Sequence, residues 1–135
     1  MSIVSILDKY NITEGMLGID DTDNKRSKST KKIAYVHKVK DKASGGYIMG
    51  QSIVFLVLIT SKITIPVGFA FHVPDPVLCA WRKKDRELRK KNTAKAMRPS
   101  EPAKNPNYPT IPQIALSLIS KFTASHLPRF CIWCC

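Results

Sequence analysis

The stretch GIDDTDNKRSKSTKK, Gly18 to Lys32, sets three carboxylates, Asp20, Asp21 and Asp23, directly before five cations, Lys25, Arg26, Lys28, Lys31 and Lys32. Neighbouring carboxylates repel one another and resist ionisation unless positive charge is supplied. Lysine and arginine can supply it, which would make the segment a solvated acidic turn paired with Lys25 and Arg26. A divalent cation held through carboxylate oxygens can also supply it, and metal beside a basic flank suits phosphodiester chemistry. A second basic run lies at Arg82 to Lys104, with ten cations against Asp85, Glu87 and Glu101. The net charge of +12 over 135 residues points to a polyanionic partner, nucleic acid or an anionic surface.

Other constellations are weaker. Cys131 and Cys134 have the spacing of half a zinc site, but no second pair completes it, and with Cys79 and Cys135 they do not form a disulfide framework. His37 and His72 read as packed or surface histidines, His126 lies near a helix C-terminus, a favourable place for it when protonated, and none pairs with a nucleophile in the sequence pattern. Gly45-Gly46 lacks the Lys-Ser or Lys-Thr of a phosphate loop and reads as a turn. Trp81 has two readings: a platform for a base, or packing at a strand-to-helix junction.

The elements that would position these residues follow from periodicity. With 44% hydrophobic content the chain can fold as one domain. Met16 to Ile19 reads as a buried strand with the acids at its C-terminal tip. Lys31 to Lys40 alternates as a second strand, ended by the turn Ala43 to Gly46. Ile53 to Ile59 is a continuous β-branched and aromatic run that predicts a central strand covered on both faces. Thr60-Ser61-Lys62 turns the chain into a strand over Ile63 to Val73, in which Pro66 and Gly68 mark an edge or a bulge. The first half of the run from Arg82 predicts an exposed helix and the second half a linker. Thr110 and Gln113 form a capping box ahead of Ile111, Ile114, Ala115, Leu118, Ile119 and Phe122, which share one helical face. Phe130 to Trp133 begins another buried strand. The N-terminus has no signal-peptide pattern, and the apolar stretch Ile48 to Phe71 is too interrupted for a membrane span. The expected class is α/β with a mixed sheet.

GIDDTDNKRSK, followed by VHKVKDKASGGYIMGQSIVFLVLITSKITIPVGFAFHVPDP, resembles the DDE-type transposases of bacterial insertion sequences whose catalytic domain has an RNase H-like fold. The resemblance runs from about Met16 to Phe122 and implies metal-dependent DNA cleavage and strand transfer. It points to Asp20, with Asp21 as the alternative, as the first catalytic carboxylate, and to Asp20 as a Mg2+ ligand. It implies DNA contacts from Lys25, Arg26, Lys28, Lys31, Lys32, Arg82, Lys83, Lys84, Arg86, Arg89, Lys90 and Lys91. It also implies DNA, an intact transposase or a second copy as partners, no membrane, and a cytoplasmic, nucleoid-associated location in a bacterium or archaeon.

The family places a second Asp on the strand after the helix and a Glu on a later helix, whereas no acid follows Glu101 here. The resemblance therefore implies a catalytic domain truncated at both ends. Residues 1–15 form a lead-in, 16–135 an incomplete RNase H-like domain, 82–109 a basic insertion, and 128–135 fit a frameshifted tail. Such a piece is expected to be inactive alone, because removing one member of a catalytic unit removes most of what the unit does. The alternatives are a non-catalytic basic nucleic-acid-binding module and an unstable remnant of a mobile element.

Overall fold

A computed structural model describes residues 3–26, 32–41, 43–126 and 131–133. Its elements run α1 (Ile3–Lys9), β1 (Glu14–Lys25), β2 (His37–Lys40), β3 (Tyr47–Ile59), β4 (Thr64–His72), α2 (Pro76–Lys90), α3 (Ile111–His126) and β5 (Cys131–Trp133), with one 3-10 turn at Lys95–Met97. They form a mixed α/β fold. The sheet is organised by β3, which pairs antiparallel with β1 along one edge and with β2 and β4 in succession along the other. Beyond β1 lies β5, parallel to it. Across the wider end the order is β4-β3-β1-β5.

The apolar run that predicts a central strand does become one. Val54, Leu56 and Leu58 are fully buried, while Phe55 and Val57, which alternate with them, stay half-buried. The two faces are thus unequal, because α3 covers only one of them. Ile114, Leu118 and Phe122, spaced four residues apart, pack onto that covered face and are joined by Leu7 of α1 and by Ile12. The other face carries an aromatic row. Phe55 and Phe69 pair across the strands, Phe71 meets Phe69 edge-on, and Tyr35 stacks on Phe71 at 4.9 Å.

Edge placement and bulge both fall where Pro66 and Gly68 predict them. Val57 opposes Pro66 and Leu56 opposes Gly68, so Val67 is the extra residue. The turn Thr60 to Lys62 closes with Thr60 Oγ1 donating to the Ile63 carbonyl at 2.7 Å.

Several expectations change. The first strand does not end at Ile19 but continues to Lys25, so the acids lie within β1 and not at its tip. Backbone pairing with the long β3 is indifferent to side chains that point to solvent, and all three acids are exposed. The second strand shrinks to four residues. Tyr35 has φ +63°, a left-handed conformation that breaks a ladder, and the Gln51 side chain takes the Ala34 carbonyl at 2.8 Å. Within the lead-in 1–15, α1 puts Leu7 into the core.

The helix within the basic run starts earlier than the charges suggest. Asp75 caps it, accepting from Val77 N–H at 2.8 Å, with Pro76 at the first helical position. The capping-box pairing predicted for α3 appears as Thr110 N–H donating to Gln113 Oε1 at 2.8 Å. Phe130, Pro128 and most of the 128–135 tail lie outside the described residues. No helix among the described residues is long and apolar enough to cross a membrane.

Candidate functional site

Consecutive residues of a strand point to opposite faces, and cross-strand partners share a face. Asp21 pairs with Val54 and Asp23 with Ser52, so both lie on the face that α3 covers. Asp20 pairs with Phe55 and lies on the aromatic face. The two candidate catalytic carboxylates therefore occupy opposite sides of the sheet and do not converge on one ion.

Around Asp21 and Asp23 the covered face ends in polar groups. Ser52 Oγ donates to Asp23 Oδ1 at 2.5 Å and lies 3.2 Å from His37 Nε2. Opposite Ser52 on β4 stands His72, whose ring meets that of His37 edge-on with centroids 6.2 Å apart. Partial burial, and then the neighbouring His37, hold the His72 imidazole below the ordinary histidine pKa, against the pull of Asp23.

A serine hydroxyl has one proton. With that proton directed to Asp23, the hydroxyl has none to give His37, whose other ring nitrogen, Nδ1, lies 3.1 Å from the Tyr35 carbonyl. The order carboxylate, hydroxyl, imidazole also differs from a hydrolase triad, in which the ring stands between the other two. The cluster is a polar network suited to holding solvent and charge, not an activated nucleophile.

As for the implied Mg2+, no group of three or more His, Cys, Asp or Glu side chains among the described residues is placed to hold a metal ion. With Asp20 and Asp21 on opposite faces, these residues do not by themselves form the two-ion site that strand transfer uses.

The residues implied in DNA contact fall into three groups. Lys25 is committed, its Nζ 2.6 Å from Asp41 Oδ1. Together with Ser44, which donates to the other carboxylate oxygen, it holds Asp41 far below the usual carboxylate range. Arg26 and Lys32 are exposed, and Lys28 and Lys31 lie outside the described residues. The remaining seven are on α2 or at its C-cap, Lys91, and all are exposed.

Sequence balance on α2 suggests that Asp85 and Glu87 dilute its positive charge, but Asp85 is not on the solvent face. It is buried at 7% exposure, accepting from Arg98 Nη1 at 3.0 Å and pairing with Arg89 Nε at 2.7 Å. Trp81 Nε1 donates to the Pro99 carbonyl at 2.9 Å. These two contacts tie the segment 98–99 back along α2. The indole is therefore half-buried against the returning chain, in agreement with the packing reading of Trp81.

The Ser52 network and the Asp85 latch are both absent from the sequence reading. The first depends on register between three strands, which leaves no local pattern. For the second, the sequence offers only two acids among the cations at positions 82–91, Asp85 and Glu87, with nothing local to tell them apart. No protein-family model, no curated protein and no solved structure matches the chain.

Proposed function

We propose that the chain is part of the catalytic domain of a DDE-type DNA transposase with an RNase H-like sheet, and that Asp21 is its first metal-binding carboxylate. The observation that carries the reading is the setting of β1. This acid-bearing strand is central, antiparallel to β3, parallel to β5, and in the order β4-β3-β1-β5, with α3 crossing over before β5. That arrangement supports the reading of an RNase H-like sheet.

The choice of Asp21 over Asp20 rests on neighbours. A hard cation needs oxygen ligands around it, and the phosphate it serves needs hydrogen-bond donors. Asp21 shares its face with Asp23, Ser52 and His72, whereas Asp20 shares its face with Phe55 and Phe69. Further acids have to join Asp21 before two ions can be held, so purified chain alone is expected not to nick a plasmid in Mg2+ or Mn2+.

The test is a chimera in which residues 16–126 replace the matching segment of an active transposase of this type. Transposition that survives Asp20→Ala and is abolished by Asp21→Ala supports the reading. A folded but inactive chimera overturns the function, and the reverse pattern of the two variants overturns the assignment of Asp21.

A second reading, a nucleic-acid-binding module without catalysis, is favoured by the cationic surface of α2.

A further inference from the structure

On a helix of 3.6 residues per turn, Arg82, Arg86 and Lys90 follow at intervals of four and lie in one row, with Lys83 beside them. The row is about 12 Å long at 1.5 Å rise per residue. Its members are all exposed, and Arg89, tethered through Nε to Asp85, keeps 66% of its side chain open to solvent at the border of the row.

The acids do not interrupt this row. Asp85 lies beside the row but is buried, its charge taken up by Arg98 and Arg89, and Glu87 is the one exposed acid of the helix. The latch to the 98–99 segment and the N-cap at Asp75 fix the helix that presents the row. The one aromatic ring of the helix, Trp81, is half-buried against the returning chain and bonded to Pro99. Single-strand sites depend on aromatic platforms for bases, which this row lacks. A linear set of cations without base-reading groups suits the backbone of a duplex.

We infer that α2 is a metal-independent dock for the phosphate backbone of double-stranded DNA, contacted through Arg82, Arg86, Lys90 and the free end of Arg89, with Asp85 holding Arg89 in place. The inference rests on the reading of DNA as the substrate, but it assigns binding to an element remote in sequence from the acidic strand and needs no ion.

The test is fluorescence anisotropy of the full chain with a labelled duplex of about 30 base pairs in EDTA, between 50 and 200 mM salt. Each phosphate contact contributes about 0.9 to the slope of log affinity against log salt, so Arg82→Gln and Arg86→Gln are each expected to reduce the slope by about that amount, and the pair by about twice it. Glutamine keeps helix propensity, and circular dichroism checks that the fold is retained. Lys121→Gln, an exposed cation on α3, is expected to leave the slope unchanged.

A slope that does not respond to the row variants overturns the inference, as does an equal response to Lys121→Gln or tighter binding of a single strand than of the duplex. Because the assay contains no metal, its outcome is separate from that of the chimera. An inactive chimera leaves a positive binding result standing, and a flat salt response leaves the assignment of Asp21 untouched.

Discussion

Arg98 and Asp85 are thirteen residues apart and meet with Nη1 3.0 Å from Oδ1, both side chains almost out of solvent. Arg98 Nε is buried without a hydrogen-bond partner, so the carboxylate at Nη1 is what offsets the burial of the guanidinium. Removing one member of a buried ion pair leaves the other charge uncompensated, at a cost of about 3–5 kcal/mol. Asp85→Ala is therefore expected to lower stability by about that amount in urea unfolding. In the double variant Asp85→Ala, Arg98→Met, most of the loss should return, because no stranded charge remains. A double variant no more stable than Asp85→Ala would mean that the pair is not what holds the segment.

Gly50 is flanked on both sides, paired with Lys25 of β1 and with His37 of β2. A Cβ there would lie 2.8 Å from Val39 Cγ2 and 3.1 Å from the Asn24 carbonyl oxygen. Neither neighbour moves freely, since Val39 is buried and Asn24 is backbone in a paired strand. Gly50→Ala is expected to cost about 1–3 kcal/mol, the usual range for overpacking. Thermal unfolding measures it, and an unchanged midpoint would show that β2 yields.

What was legible in the sequence was whatever depends on local period. The row Ile111 to Phe122, the β-branched run at 53–59 and the Pro66-Gly68 bulge each became the element their pattern implies, because burial on one face or both imposes that pattern directly. The extent of β1 was not legible. Asp20, Asp21 and Asp23 are poor strand residues, and it is the partner strand, not their propensity, that keeps them extended. Nor was the side of the sheet on which each acid lies, since a shift of one residue in register would exchange them. Asp85 shows the same limit on a helix. Its charge counts against a basic surface until its partner Arg98, in another segment, is seen to bury it.

Asp41 tests the charge arrangement at the turn after β2. Its hydrogen bond from Lys25, then that from Ser44, hold the carboxyl well below its ordinary value of 3.8. A carboxylate with a depressed folded-state pKa stabilises the fold above its unfolded value and loses that contribution as pH falls toward the folded value. Wild-type protein is thus expected to lose stability below about pH 4, and Asp41→Asn to lose less over the same range. The pair is solvent-exposed, so the difference should shrink at 1 M salt. Equal acid sensitivity of the two proteins would show that Lys25 is free, which would return it to the set of cations open to DNA.

His72 gives the opposite kind of group the same sign of pH dependence. Burial, and then His37, disfavour its charged form, so its folded-state value lies below the ordinary 6.5. Between those values the unfolded chain binds a proton that the folded chain does not, and stability falls as pH is lowered. The contribution is complete above about pH 6.5 and is lost once the folded form protonates as well. Urea midpoints measured from pH 7.5 to 5 should therefore decline in the wild type and decline less in His72→Gln. Asp23 opposes the effect, so Asp23→Asn should steepen the wild-type decline. A decline unaltered by His72→Gln would place the responsible proton on another group and leave His72 without a share in the pH response of the Ser52 network.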